Sequence, residues 1–183
     1  MSASHNQSLR HYVSNNANGN ILEIGAGNGS NINFYNNYDK LVLLDSNFDL
    51  IKQIDKSSSY NLILADINYL PFKEQSFDSI VSSLVLCSVG NVNSTFKELN
   101  MVLKSKGKYF FWEHSVFHKK SMIIFKSFFI YTWKFFTNGC DYNIDNVSNL
   151  ESIKWGHIKL HKKYSSLIKF LGIYYIYGVI TKK

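Results

Sequence analysis

Short apolar runs alternate with more polar, helix-compatible stretches along most of the chain. Brief apolar runs of this kind are typical of strands that are covered on both faces of a parallel sheet, because neither face then needs polar residues. The pattern predicts seven strands, at residues 21–24, 40–45, 61–66, 77–83, 108–113, 155–163 and 173–181.

The stretches between these strands predict helices with one apolar face. They lie at residues 4–14, 32–38, 48–54, 93–102, 115–136 and 143–153, and a turn is predicted at residues 104–107. In the first helix Leu9, Tyr12 and Val13 are expected to face the core, and in the third helix Phe48 and Ile51 are. The alternation predicts an α/β fold with a seven-stranded, mostly parallel sheet and helices on both faces.

The first predicted strand runs straight into the glycine-rich turn Gly25-Ala26-Gly27-Asn28-Gly29. Glycines permit positive φ and let a ligand approach the backbone closely, and free N–H groups beyond the turn can face a polar or anionic group. The dinucleotide-binding spacing is G-x-G-x-x-G, whereas this chain has G-x-G-x-G with Glu23 two residues before the first glycine. The pattern resembles the first motif of class I S-adenosylmethionine-dependent methyltransferases, which have a Rossmann-like fold.

Acidic side chains close the next two predicted strands, at the sheet edge where ligands of open α/β sheets bind. Asp45 comes 20 residues after Gly25, which suits a carboxylate that accepts hydrogen bonds from ribose hydroxyls. Asp66 can accept from an adenine amino group and Ile67 can pack on the ring. This series indicates S-adenosylmethionine rather than NAD, although either acid could instead cap a helix.

Length and composition indicate a globular chain. Its 183 residues predict a single domain over residues 1–183, with an arm or helix at residues 1–18. No apolar run reaches the roughly 18–20 residues needed to cross a bilayer, and the polar start lacks a signal-peptide core. Cys87 and Cys140 show neither a disulfide framework nor metal-ligand spacing, so no metal is expected, and the predicted location is cytoplasmic.

The net charge of +7 is unevenly distributed, because residues 1–100 carry 6 basic and 9 acidic side chains and residues 101–183 carry 14 and 4. A basic half can face nucleic acid or an anionic membrane. The single arginine, Arg10, favours a solvated lysine-rich surface instead, because nucleic-acid sites usually use several arginines. We therefore expect no nucleic-acid partner, leave peripheral membrane contact open, and expect a monomer or homodimer.

A closer resemblance extends from residue 9 to the end of the chain. The stretches ILEIGAGNGSNINFY, LVLLDSN, LPFKEQSFDSIVSSLVLCSV, LNMVLKSKGKYFFWEH, TWKFFTNGC and YIYGVITKK are similar to the methyltransferase-like 7 group of alkyl-thiol S-methyltransferases. The resemblance implies an enzyme that methylates small thiols with S-adenosylmethionine, giving S-adenosylhomocysteine. The expected cofactor-binding residues are Glu23, Gly25, Ala26, Gly27, Asp45, Ser46, Asp66, Ile67, Ser83 and Leu84.

The chain also departs from that group. Asn28 replaces a threonine, Ser46 replaces a proline, and residues 104–107 replace an Arg-Pro-Gly-Gly turn. The apolar amino-terminal anchor of the animal members has no counterpart here, which predicts a soluble microbial relative and weakens the inference about substrate.

Methyl transfer from a sulfonium is an in-line displacement that needs positioning and exclusion of water. A thiol acceptor ionises near neutral pH and needs only modest help from a base. We expect His114 and Cys87 to be the catalytic candidates, and His118, Trp133 and Cys140 to contact substrate, with residues 115–140 as a lid. Structural roles for all these residues stay open, as do O- or N-methylation, RNA modification, and cofactor binding without turnover.

Overall fold

The computed structural model describes residues 3–56, 59–116, 140–141, 144–164 and 173–183. The strands are β1 (Asn20–Ile24), β2 (Lys40–Asp45), β3 (Asn61–Leu64), β4 (Phe77–Ser83), β5 (Leu103–Val116), β6 (Gly156–Lys163) and β7 (Ile173–Lys182). The helices within these ranges are α1 (Ala3–Asn15), α2 (Phe48–Ile51), α3 (Val92–Val102) and α4 (Asn146–Glu151), with single 3₁₀ turns at Ile32–Phe34 and Leu86–Ser88.

The strands form one seven-stranded sheet in the order β3-β2-β1-β4-β5-β7-β6. The first five strands pair in parallel, and β7 runs antiparallel to both β5 and β6. The predicted seven-stranded, mostly parallel sheet is therefore confirmed. The order changes direction at β1, which lies between β2 and β4, and this is the position where open α/β sheets bind ligands.

Both faces of the sheet are covered. Alternate strand residues point to opposite faces, so Leu22 belongs to the cluster that includes α3 and α4, whereas Ile21 belongs to the cluster that includes α1 and α2. Leu9 and Val13 of α1 are buried in the second cluster, as predicted, and Tyr12 packs against it half-buried. Helices on both faces are thus confirmed for the described part of the chain.

The prediction of a helix at residues 32–38 is wrong. One 3₁₀ turn, Ile32–Phe34, follows the glycine-rich segment, and Tyr35 is already extended at φ −84° and ψ 119°. The stretch consists of isoleucine, asparagine and aromatic residues, and it contains none of the strong helix formers. No full helix therefore starts at the glycine-rich turn.

The prediction that Phe48 faces the core is also wrong. Its side chain is 61% exposed, although Ile51 is buried as expected. Because α2 is only four residues long, Phe48 sits at its first turn, where the side chain lies against Lys52 rather than the core.

Strand β5 is longer than predicted at both ends. It begins at Leu103 and includes the segment 104–107 that was expected to be a turn, with Lys106 at φ 61° and a shift of register against β4. It continues to Val116, so the first residues of the helix predicted at 115–136 are strand, and residues 117–136 lie outside the described ranges. β3 ends at Leu64, two residues earlier than expected.

None of the helices within the described ranges has the length and apolar character needed to span a bilayer. The single-domain assignment over residues 1–183 stays a prediction.

Gly178 in β7 offers a test of how tightly the sheet is packed. A Cβ at this position would overlap the carbonyl oxygen of Lys159 and lie 2.9 Å from Phe111 Cζ, whereas a Cβ at exposed Gly90 would meet nothing within 4 Å. Gly178→Ala is expected to lower the free energy of unfolding by about 2–3 kcal/mol, because the backbone of β6 and the Phe111 ring must both move. Urea denaturation measures the change.

Gly90→Ala is the matched control and should stay within about 0.5 kcal/mol of the unmodified chain. Equal stabilities for the two variants would contradict the packing described for β6 and β7.

Candidate functional site

A cavity of about 420 Å³ opens at the carboxyl ends of β1, β2, β3 and β4. Its size falls within the range of small-molecule sites, and it lies at the change of strand direction beside β1. It is lined by Gly25, Gly27, Asp45, Ser46, Asn47, Leu50, Asp66, Ile67, Asn68, Leu84, Val85, Ser88, Val89, Gly90 and Cys140. Eight of the residues predicted for the site are therefore in its wall.

The glycine-rich turn forms one wall because two of its residues adopt left-handed backbone conformations. Gly25 has φ 62° and Gly27 has φ 57°, which side-chain-bearing residues rarely adopt. A Cβ at Gly25 would overlap Val85, whereas the same position at Gly27 is open. Gly25 thus allows close packing, and Gly27 leaves the backbone open to the cavity.

Asp45 holds this turn in place from the end of β2. Its Oδ2 accepts a hydrogen bond from Gly27 N at 2.7 Å and its Oδ1 accepts one from Asn47 N at 2.8 Å. The cap of α2 is Asn47, whose side chain accepts from the N–H groups of Asp49 and Leu50. The capping alternative for Asp45 is therefore wrong, and its 8%-exposed carboxylate lines the cavity instead.

A second carboxylate, Asp66, lies in the wall formed after β3. Its Oδ1 accepts from both the N–H and the amide of Asn68, at 2.8 and 3.1 Å, so it orders a turn and does not cap a helix of the described chain. Ile67 beside it is buried. Among the described residues, the lining includes two carboxylates and no lysine, arginine or histidine, so this part of the wall favours hydroxyl, amino and cationic groups over a pyrophosphate.

Glu23 lies behind the glycine-rich turn rather than in the cavity wall. It is 1% exposed and accepts hydrogen bonds from Asn31 Nδ2 at 2.7 Å and from the Tyr35 hydroxyl at 2.9 Å. Asn31 also donates to Ser83 Oγ and accepts from Arg10. Burial raises the pKa of Glu23 to about 7, against the opposing effect of its two hydrogen-bond donors.

Direct cofactor contact is thus not supported for three of the ten residues. Glu23 and Ser83 belong to the network around Asn31, and Ala26 is buried with its N–H bonded to Leu44 O at 3.0 Å. Their common effect is to fix the turn that carries Gly25 and Gly27.

Glu113 supports the opposite wall. This fully buried carboxylate accepts hydrogen bonds from Ser82 Oγ at 2.9 Å and from the N–H groups of Val85 and Leu86, both at 3.2 Å. Burial raises the pKa of Glu113 to about 7, although these donors oppose the shift. The carboxylate therefore connects the segment after β4 to β5, and Leu84, at φ 61°, lines the cavity.

The two catalytic candidates and Cys140 come together at one corner of the cavity. His114 is 7% exposed, and its Nε2 lies 3.0 Å from Cys140 Sγ. Cys87 is buried, with its Sγ 3.6 Å from Leu84 O, and the ligand atoms of the three residues all lie within 4.8 Å of one another. The adjacent Cys140 and burial raise the pKa of the Cys87 thiol. Cys140 lines the cavity, whereas Cys87 and His114 lie behind it.

His118 and Trp133, together with residues 117–139 of the expected lid, lie outside the described residues. Seven cavity-lining residues were not predicted from the sequence: Asn47, Leu50, Asn68, Val85, Ser88, Val89 and Gly90. Each lies within seven residues beyond the end of β2, β3 or β4, so its position after a strand end is the sequence signal that indicates it.

Comparison with known proteins agrees with this architecture. Residues 22–111 match the family model described as a methyltransferase domain. The matched segment begins within β1 and contains β2 to β4, the glycine-rich turn and both cavity carboxylates. Residues 22–111 therefore form a methyltransferase domain.

This methyltransferase chain is similar to thiol S-methyltransferases of mammals. It is 29% identical to thiol S-methyltransferase TMT1B of Rattus norvegicus over 149 residues, which are 76% of this chain and 61% of the rat protein. It is 28% identical to thiol S-methyltransferase TMT1A of Homo sapiens over 171 residues, 88% of this chain and 70% of the human protein. The chain thus spans about three fifths of the length of the TMT1B relative.

A solved methyltransferase has the same fold. Geranyl diphosphate methyltransferase, in a structure titled as a complex with SAM, superimposes with a TM-score of 0.72 at 10% identity, covering 98% of this chain and 85% of that one.

The buried carboxylate of Glu23 predicts a pH dependence of stability. Because its pKa is about 7 in the folded chain and 4.5 ordinarily, the folded state binds the proton more tightly, and stability is lost as pH rises between these values. The loss is at most about 3 kcal/mol. Glu23→Gln removes the titration, so its free energy of unfolding should decline less between pH 5 and pH 8 in urea denaturation.

Exposed Glu74 provides the control, and Glu74→Gln should keep the pH dependence of the unmodified chain. Parallel pH profiles for Glu23→Gln and the unmodified chain would show that the raised pKa of Glu23 is wrong.

Proposed function

We propose that this chain is an S-adenosylmethionine-dependent methyltransferase that transfers a methyl group to a small thiol and releases S-adenosylhomocysteine. The observation that carries the proposal is the cavity at the strand-order reversal, which is walled by the Gly25–Gly27 turn, Asp45 and Asp66. The similarity to thiol S-methyltransferases supports the choice of acceptor.

The residues of the cavity fit the cofactor by their chemistry. Asp45 keeps lone pairs beyond its two backbone hydrogen bonds and can accept from ribose hydroxyls. Asp66 can accept from the adenine amino group while Ile67 packs against the ring. The two carboxylates also favour a cationic sulfonium ligand, and the part of the wall that the structure describes has no basic side chain.

S-adenosylmethionine, when bound, supplies an electrophilic methyl group. The chain must then place the acceptor in line with that group and keep water out. Leu84, Val85 and Val89 give the cavity an apolar side next to Cys140, which suits a small apolar acceptor. Glu113 holds this side rigid through the N–H groups of Val85 and Leu86.

Several narrower assignments stay predictions. They are contact of substrate with His118 and Trp133, a lid within residues 115–140 beyond the end of β5 at Val116, a cytoplasmic location, and a monomer or homodimer with no nucleic-acid partner.

Asp45→Asn tests the cofactor site. The substitution removes the negative charge and one acceptor oxygen, so the dissociation constant for S-adenosylhomocysteine should rise by about tenfold or more in isothermal titration calorimetry. Asp49→Asn, which alters an exposed carboxylate paired with Lys52, should change it less than about twofold. Equal affinities for Asp45→Asn and the unmodified chain would contradict the assignment.

A panel of acceptor molecules tests the proposal that the methyl acceptor is a thiol. With labelled S-adenosylmethionine, we expect methyl transfer to small alkyl thiols, and none to phenols, amines or RNA of matched concentration. Mass spectrometry of the product should show a thioether. Transfer confined to oxygen or nitrogen acceptors would replace S-methylation by O- or N-methylation, and transfer confined to RNA would reject a small-molecule acceptor.

A further inference from the structure

Two thiols and one imidazole converge beside the cavity from three separate parts of the chain. Cys87 belongs to the 3₁₀ turn after β4, His114 to β5, and Cys140 to the segment at residues 140–141. Their ligand atoms lie within 4.8 Å of one another, and His114 Nε2 is 3.0 Å from Cys140 Sγ. In a tetrahedral zinc site, bond lengths of about 2.0–2.3 Å separate the ligand atoms by about 3.5–3.8 Å. The three ligand atoms are therefore close enough to surround one ion, and His114 Nε2 and Cys140 Sγ, now 3.0 Å apart, would move apart by about 0.5 Å to reach that spacing.

Each of the three residues is held by its own backbone contacts. Glu113 fixes the turn of Cys87 through the N–H groups of the two preceding residues, and Asp141 N donates to Cys87 O at 2.8 Å, which places Cys140 beside Cys87. The carbonyl of His114 accepts from Asn146 Nδ2 at 2.8 Å. The three ligand groups are thus positioned before any ion binds.

The imidazole also carries an unsatisfied polar atom. His114 is 7% exposed, and its Nδ1 is buried without a hydrogen-bond partner among the described residues. Because Nε2 is the ring nitrogen that faces Cys140 Sγ, Nε2 is the atom that would bind an ion, and Nδ1 would then carry the ring proton.

We propose that Cys87, His114 and Cys140 bind one Zn²⁺ ion, with a fourth coordination position open to the cavity on the side of Cys140. Two sulfurs and one nitrogen suit a thiophilic d¹⁰ cation and not Mg²⁺ or Ca²⁺, which require oxygen ligands. Two thiolates neutralise the charge of Zn²⁺, so the filled site has no net charge in its buried position. Three protein ligands and one open position are typical of catalytic rather than structural zinc.

The open position has a use that rests on the proposed S-methylation. An acceptor thiol that binds there as its thiolate loses its proton to solvent and is presented as the nucleophile. Its sulfur forms the new S–CH₃ bond as the C–S bond of the sulfonium breaks, and the electron pair of that bond goes to the sulfur of S-adenosylhomocysteine. No redox change occurs. His114 then acts as a ligand instead of a general base.

Metal analysis of the 183-residue chain, purified without an affinity tag, tests the site independently of activity. After loading with Zn²⁺ under reducing conditions, we expect one ion per chain, and Co²⁺ should give the sulfur charge-transfer and d–d bands of a tetrahedral thiolate site. Cys87→Ser, Cys140→Ser and His114→Asn should each weaken Zn²⁺ in chelator competition by about 100-fold or more. His157→Asn, at an exposed position on β6, is the control and should match the unmodified chain.

Alkylation of the unmodified chain keeps the test valid if a variant fails to fold. Zn²⁺ should slow the reaction of iodoacetamide with both cysteines, whereas Mg²⁺ should not. Absence of bound Zn²⁺, unchanged affinity in the three variants, or recovery of Cys87 and Cys140 as a disulfide from the reduced, Zn²⁺-loaded protein would overturn the proposal.

Failure of the site and failure of the proposed function are distinguishable. A chelated chain that binds S-adenosylhomocysteine normally, but methylates thiols about 100-fold more slowly until Zn²⁺ is restored, supports the catalytic use of the ion. Full thiol methylation by the chelated chain overturns that use. Binding of Zn²⁺ by a chain that methylates no thiol overturns the proposed function and leaves the metal site standing.

Discussion

The parallel pairing of β1 with β2 on one side and with β4 on the other is the constraint on which the site depends. Ile24, the last residue of β1, is opposite Leu44 and Ser82, so all three strands end at the same level. The ladder continues one step past the strands, since Ala26 N donates to Leu44 O. Backbone hydrogen bonds therefore bring the glycine-rich turn, Asp45 and the segment after β4 to the same edge of the sheet.

Two buried carboxylates fix the loops that leave this edge. Glu23 accepts hydrogen bonds from Asn31 and Tyr35 behind the glycine-rich turn, and Glu113 accepts hydrogen bonds from the N–H groups of the two residues Val85 and Leu86 after β4. Both are held by hydrogen bonds from neutral donors, and burial raises the pKa of each to about 7. Burying a carboxyl group lowers the free energy of unfolding. In return, the hydrogen bonds of Glu23 and Glu113 hold the loops on the two sides of the cavity in a single conformation.

The amino-acid sequence alone predicted the strands and the place of Asp45 at the site. A strand of a buried parallel sheet is a short apolar run, and the residue that follows it lies at the ligand-binding edge. The sequence was insufficient where contacts join distant residues. Glu113 receives its hydrogen bonds from residues 27 to 31 positions away, and no local pattern indicates which loop will meet it. The helix expected at residues 32–38 failed for a local reason, the lack of strong helix formers. The approach of Cys87 to Cys140, 53 residues later, depends on tertiary structure and cannot be obtained from spacing.

The methyltransferase assignment and the metal inference share the corner near Cys140, but the cofactor cavity is the central claim. Hydrogen–deuterium exchange with and without S-adenosylhomocysteine tests it directly, because ligand contact and loop ordering slow amide exchange locally. Peptides that cover residues 25–29, 45–50, 66–68 and 84–90 should gain protection together, while β6 at residues 156–163 stays unchanged. Protection confined to β6, or no change at the four cavity segments with ligand at saturating concentration, would contradict the account.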